Sequence, residues 1–279
     1  MTVNQFHVGS NPTLPANLRG SMKNLVMCAA YGYSAEDLKP FAHSLRKYYA
    51  DDVLFLIKEQ TPDLDVLFNT YNIRSVVIEQ LPANNDIQWK RYSIFRSILE
   101  SYDVDRVFIS DVRDVVFQDN PFNLTDTNFD LEFFEEPEKI RNCKCNAGWI
   151  MSLYGPGELT NIGDNNIICS GTTRGSKQGM LKYFDIMINE IQAFTNRYIQ
   201  IKGGEDQPIH NYLIRNGKFE SYIVYGNCNN AVATLDHQKD FVFDDNNKLI
   251  DNLKRVIPVV HQWDRVKQFS DQFYRIAME

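Results

Sequence analysis

From residue 23 onward, unbroken apolar runs of strand length alternate with amphipathic stretches of helix length. The runs are residues 23–30 (KNLVMCAA), 52–57 (DVLFLI), 75–78 (SVVI) and 106–110 (RVFIS). Apolar residues on both sides of a strand indicate a strand buried on both faces, as in a parallel sheet covered by helices. The first amphipathic stretch opens at Ser34, an N-cap residue type. The second opens at Thr61-Pro62, with proline at the first helical position. The third, residues 86–102, carries Trp89, Ile94, Phe95, Ile98 and Leu99 at helical spacing. This β-α alternation predicts an α/β fold with a mostly parallel sheet and right-handed crossovers, in which ligands gather at the carboxyl ends of the strands.

The second half is less regular. Residues 131–134 (LEFF) read as a strand followed by a loop that runs to Trp149. Residues 166–170 (NIICS) read as a strand ending in the loop GTTRGS, whose Ser176 caps a long helix. Gly203 and Gly204 precede Glu205-Asp206-Gln207 and a short helix. Residues 241–249 suggest a hairpin, and the tail VIPVVHQWDRVKQF a strand followed by a polar loop. Residues 1–22 are polar and are expected to form a mobile arm.

The composition sets limits on function. Of 279 residues, 43% are hydrophobic, enough for one large domain without disulfide staples, and the formal net charge is −7. An acidic chain lacks the basic footprint of a nucleic-acid binder, so no nucleic-acid partner is expected. No apolar run reaches the roughly 20 residues of a membrane span, and no signal core is evident at the start. The five scattered cysteines lack zinc-site spacing and read as free thiols, so a cytoplasmic location is expected.

The chemistry concentrates after the fourth strand, where Asp111 and Asp114 share one tight turn. Two carboxylates at a strand end suit a hard divalent cation, Mn²⁺ or Mg²⁺, that keeps open positions for phosphate oxygens. The run VFISDVRDVVFQDNPF around them resembles the D-x-D strand-turn-strand of GT-A fold (Rossmann-like) nucleotide-sugar glycosyltransferases, in a D-x-R-D variant. The chain is also distantly similar to glycogenin-like (family 8) transferases, over roughly residues 22–267. The resemblance implies a single GT-A domain over residues 23–279. Its nucleotide-binding half would span about 23–120 and its acceptor half about 121–279. It also implies a UDP-sugar donor, metal binding by Asp111 and Asp114, and contact of Asp111 with the ribose. Ala30, Tyr31 and Gly32 after the first strand would meet the uracil and ribose, and Arg113 would join the same donor site. Arg91 would reach the donor sugar, with Arg96 as a competitor for that role. Ser170, Gly171 and Thr172 would line the sugar.

Glu205 and Asp206 are the carboxylates that the resemblance brings near the transfer point. Either could serve as general base in an inverting reaction, or could orient the sugar in a retaining one. His261 and Lys267 keep the His and Lys spacing of the glycogenin-like H-x-x-G-x-x-K segment, with Asp264 in place of its glycine. His261 is then a third metal ligand, and Lys267, or Arg265 instead, a partner for the diphosphate. On this pattern the expected activity is transfer of a sugar to a glycan, protein or small-molecule acceptor, with retention of configuration. A nucleotidyltransferase would need a glycine-rich basic loop after the first strand, which AAYGYSAEDL lacks, and an aspartyl phosphohydrolase would carry its paired Asp there. The remaining alternative is a non-catalytic glycan- or nucleotide-binding module of the same fold.

Overall fold

A computed structural model describes residues 22–79, 81, 87–195, 206–238 and 240–279 of the chain. The expected N-terminal arm, apart from Met22, and Glu205 with its two preceding glycines lie outside them. The α/β alternation is present. β1 (Asn24–Ala29), β2 (Asp52–Ile57), β3 (Arg74–Val77) and β4 (Arg106–Ser110) are joined through α1 (Ala35–Tyr48), α2 (Pro62–Thr70) and α3 (Ile87–Ser101). Ser34 and Asp37 form a capping box at the start of α1, and the Thr61 hydroxyl caps α2. β1 shows the two-faced burial that its sequence implied. Leu25 and Met27 pack with Tyr92 and Phe95 of α3 on one face of the sheet. Val26 and Cys28 pack with Phe41 and Leu45 of α1 on the other.

The second half departs from the expectation. β6 (Leu131–Lys139) runs five residues past Phe134. The presumed loop to Trp149 holds most of α4 (Lys144–Tyr154), which is followed by α5 (Pro156–Ile162). β7 (Asn166–Ser176) does not end at Ser170. It continues through Gly-Thr-Thr-Arg-Gly, antiparallel to β4 and β6, and the Ser176 hydroxyl then accepts from the Gly179 N–H at the start of α6 (Lys177–Thr195). After α7 (Asp206–Arg215) come β8 (Tyr222–Tyr225) and β9 (Val232–Thr234). Around residues 241–249 the expected hairpin is present in short form, as one antiparallel bridge, Phe243 to Leu249, closed across Asp245-Asn246-Asn247. β10 (Val259–His261) is followed by a 3-10 turn (Trp263–Arg265) and then by α8 (Lys267–Met278) rather than a polar loop. No helix among the described residues is long and apolar enough to cross a membrane.

The main sheet has the order β3-β2-β1-β4-β7-β6-β8, with β7 running against the other strands. A smaller sheet, β5-β10-β9, is formed with β5 (Val115–Phe117), the strand directly after the acidic turn. α8 packs Phe273 and Ala277 against Val116, Ala233 and Val260 of this small sheet. The same helix offers the Ala277 carbonyl to His43 Nδ1 at 2.6 Å and the Ile276 carbonyl to Lys47 at 3.1 Å, which clamps the small sheet to α1. A buried ion network fixes the other end of β4. Glu132 of β6 takes Arg106 at 2.7 Å and Arg174 at 2.6 Å, and Arg174 also donates to the carbonyls of Pro121 and Asn123.

α7 is held by a buried His210, whose Nδ1 lies 2.8 Å from the Tyr183 hydroxyl. Burial pushes the His210 pKa down to about 3, so the ring is neutral in the folded state. An unfolded histidine titrates near 6.5, so below that pH the unfolded chain gains a proton that the fold refuses. His210 therefore costs stability as pH falls from about 6.5 towards about 3, at up to about 1.4 kcal/mol per pH unit. In urea unfolding at pH 7 and pH 4.5, His210→Gln is expected to lose clearly less stability on acidification than the wild type. Equal losses in the two proteins would refute this account.

Candidate metal centre and flanking clefts

β4 ends at Ser110, and the chain makes one turn through Asp111, Val112, Arg113 and Asp114 before β5. Val112 is buried, which turns the two aspartates towards the same side. β10 pairs with β5 so that His261 stands opposite Val115, one residue from Asp114. The Gln262 N–H donates to the Asp114 carbonyl at 2.7 Å, with Gln262 in the left-handed region at φ 57°. This register delivers the imidazole to the carboxylates: His261 Nε2 lies 3.7 Å from Asp111 Oδ2 and 3.7 Å from Asp114 Oδ1. On its far side, His261 Nδ1 lies 3.5 Å from the Thr234 hydroxyl and 3.6 Å from the Cys169 sulfur.

The donor atoms of Asp111, Asp114 and His261 all fall within 4.8 Å of one another. His261 Nε2 stands beyond hydrogen-bonding distance of both carboxylates, so the three groups surround a common point without closing on each other. Two oxygens and an imidazole nitrogen suit Mn²⁺ well and Mg²⁺ acceptably. Three arginines offset the negative charge. Arg91 of α3 lies 3.3 Å from Asp111, Arg265 lies 3.2 Å from Asp114 and 3.3 Å from Asp236, and Arg113 lies 3.9 Å from Asp114. Arg113 is tied more closely to Asp264, at 2.7 Å. The residue that departs from the glycogenin-like glycine thus has a charge partner in the acidic turn itself.

Gly171 has a defined task. The Asp111 N–H donates to the Gly171 carbonyl at 2.7 Å across the β4–β7 pair. A Cβ added at Gly171 would overlap the Asp111 carboxylate. Glycine here leaves space for a ligand side chain to lie across the neighbouring strand. Gly32 serves differently: at φ +83° its backbone sits in the left-handed region that glycine favours.

Two clefts of ≈ 400 Å³ each meet at this cluster. Tyr31, Tyr33, Arg113 and Asp114 line one of them, and an adjoining pocket of ≈ 340 Å³ is lined by Ala30, Gly32 and Tyr33. Glu136, Asn146, Trp149, Ser170, Asp206 and His261 line the second cleft. Arg91, Asp111 and Arg265 line both. Arg91 donates to Asp206 at 2.6 Å and to the Ser170 carbonyl at 3.2 Å, and the Tyr92 hydroxyl donates to the same Asp206 oxygen at 2.9 Å. Burial works against a charged guanidinium, but Tyr92, Asp206 and Asp111 outweigh it and raise the Arg91 pKa well above the ordinary value.

The structure thus brings together Arg91, Asp111, Asp114, Ser170, Asp206 and His261, and on α3 it is Arg91 that lies at the cluster. Arg96 faces away, paired with Asp185 and Glu100. Thr172 lines neither cleft: because β7 continues past Ser170, its side chain is fully buried. Lys267 is exposed at the start of α8 and likewise lines neither cleft, whereas Arg265 lines both. The sequence reading did not single out Glu136, Trp149 and Asp236. The E-E-P-E-K run after Phe134 has no apolar–polar alternation and holds a proline, so nothing in it marked β6 as continuing to carry Glu136 to the cleft. All five cysteines are free. The chain matches no protein-family model and shows no significant match to any curated protein, so the assignment of function rests on this geometry.

Replacing Gly171 by alanine tests whether the cleared space serves the ion. Gly171→Ala is expected to weaken Mn²⁺ binding about 10–100-fold, while overpacking costs about 1–3 kcal/mol of stability. Titration of free Mn²⁺ by electron paramagnetic resonance reads the affinity. Wild-type affinity in the variant would show that Asp111 is not a ligand.

Proposed function

We propose that the protein is a metal-dependent glycosyltransferase of GT-A type, moving a sugar from a nucleoside diphosphate sugar, with UDP as the nucleotide, to a hydroxyl-bearing acceptor. The observation that carries this reading is the position of the Asp111–Asp114–His261 cluster at the junction of two clefts, beyond the carboxyl end of β4. A group-transfer enzyme needs one compartment for the activated donor, another for the acceptor, and charge stabilisation between them. Asp111, Asp114 and His261 would hold Mn²⁺ or Mg²⁺, which supplies positive charge for the departing diphosphate.

The remaining roles follow from the side chains at hand. Tyr31 and Tyr33 offer ring faces to a base at the mouth of the first cleft. Arg265 reaches both clefts and is the cation best placed to meet a diphosphate, in preference to Lys267. Arg91, fixed by Asp206 and Tyr92, presents its charge beside Asp111, towards the donor sugar. Asp206 accepts from both Arg91 and Tyr92 on one oxygen and is ion-paired with the buried guanidinium. It is therefore suited to orienting Arg91 and poorly suited to taking a proton.

Two measurements test this reading. UDP together with Mn²⁺ is expected to raise the melting temperature more than either alone, because each binds the folded state and strengthens the other. Release of UDP from a panel of UDP-sugars is expected to require Mn²⁺ or Mg²⁺ and to vanish in Asp114→Ala. Undiminished turnover in excess chelator would reject the metal's role. UDP and Mn²⁺ binding without any turnover would leave a binding module.

A further inference from the structure

Five carboxylates line the second cleft: Asp111, Glu136, Glu138, Asp206 and Asp236. Four of them already have a basic neighbour. Asp111 and Asp206 have Arg91 at 3.3 and 2.6 Å, Asp236 has Arg265 at 3.3 Å, and Glu138 has His237 at 3.5 Å. Among the described residues, Glu136 has no Lys, Arg or His in ion-pair contact. It lines the second cleft and not the one that carries Tyr31, Arg113 and Asp114.

Glu136 is nevertheless held in place. The Gln207 amide nitrogen donates to Glu136 Oε1 at 3.2 Å, and Gln207 Oε1 is itself fixed by the backbone N–H and the hydroxyl of Ser170, both at 2.9 Å. Ser170 in turn offers its carbonyl to Arg91. A single chain of hydrogen bonds therefore links Glu136 to the arginine beside Asp111. The Gln207 amide holds Oε1, and the Cys169 thiol also faces the carboxylate.

We propose that Glu136 is the catalytic base that receives the acceptor's proton, and that the transfer consequently inverts the anomeric centre. The proposal rests on the glycosyltransferase reading above and goes beyond it by naming the base and the stereochemical course. In the step, the acceptor O–H bond breaks and its proton passes to Glu136. The freed oxygen pair forms the new bond to the anomeric carbon as the bond from that carbon to the diphosphate oxygen breaks, and the diphosphate departs with that bond's electrons. A base on the acceptor side, with the leaving group on the other, is the arrangement of a single displacement. Retention needs no such protein base.

Burial raises the Glu136 pKa above the usual carboxylate value. Facing groups hold it back: His261 on β10, Gln207 on α7, Arg265 in the 3-10 turn and the Cys169 thiol on β7. A base must be deprotonated to act, so turnover falls as pH drops through this raised value, above the range of an ordinary glutamate. Replacing the carboxylate removes this titration from the profile and leaves only the loss of metal at lower pH.

Hydrolysis of UDP-glucose and UDP-galactose at saturating Mn²⁺, with water standing in for the acceptor, provides the test. Proton NMR taken before mutarotation should show a released sugar of configuration opposite to the donor's. Glu136→Gln should lower kcat about 10²–10⁴-fold and move the acid limb to lower pH, while calorimetry finds UDP–Mn²⁺ binding unchanged. Glu136→Asp should keep part of the rate. A retained configuration, a wild-type kcat in Glu136→Gln, or a change confined to KM would overturn the proposal while leaving the transferase reading intact. A wild-type protein that binds UDP–Mn²⁺ but releases no sugar would overturn the proposal, and one that binds neither UDP nor Mn²⁺ would remove the transferase reading as well. The product's configuration is read on the unmodified protein and does not depend on the variants folding.

Discussion

Mutual repulsion between carboxylates at the end of β4 is the constraint to which the rest of the site answers. Asp111 and Asp114 are drawn to one point, and Asp206 approaches from α7 within reach of the same Arg91. Negative charges so close, with Asp114 and Asp206 buried, are costly unless cations or hydrogen-bond donors meet them. The chain supplies them from three directions: Arg91 from α3, Arg113 within the turn, and Arg265 from the turn after β10. The small sheet exists at the site's edge because its register sets His261 against Asp114. The helices and strands around it hold cations and carboxylates at compatible distances.

The parts of this arrangement that were legible in the sequence are those governed by local rules. Buried parallel strands announce themselves by continuous apolar runs, and β2 and β4 begin and end where those runs do. The caps at Ser34 and Thr61 were legible for the same reason, since a hydroxyl before a helix satisfies orphan N–H groups. Asp111, Asp114 and His261 were legible as ligand types at strand ends. The glycine-rich course of β7 was not. Gly171 and Gly175 look like loop residues in sequence, yet each is needed where another chain segment comes too close for a side chain: the Asp111 carboxylate at one and the Asp130 carbonyl at the other. α4 was hidden because its N-cap, Cys143, makes no side-chain capping bond. α8 did leave a signal, with Phe269, Phe273 and Ala277 at four-residue spacing.

Two departures from the glycogenin-like pattern account for each other. Arg113 intrudes before the second aspartate, and Asp264 stands where a glycine is usual. In the structure they form a 2.7 Å ion pair joining the acidic turn to the segment after His261. The pair spans the same two segments that the β5–β10 ladder joins by backbone bonds. Without Arg113 the half-buried Asp264 would lose its ion-pair partner, and together the two form a cross-tie beside the Asp111–Asp114–His261 cluster.

α8 contributes no group to either cleft, yet it bears on the affinity of the cluster. Through Phe273 and Ala277 it supports the underside of β5, β9 and β10, and through its last carbonyls it is fastened to α1. His261 is thus a candidate ligand carried on a short strand whose backing is the final helix. Loosening that helix would shift the imidazole relative to two aspartates carried by the large sheet, and coordination tolerates little such displacement. Any affinity of the cluster for an ion would in this sense be a readout of how well the far end of the chain is docked. A change made some 10 Å or more away, at the scale of one packed layer, would register at the metal as a loss of fit, with every ligand still in the sequence.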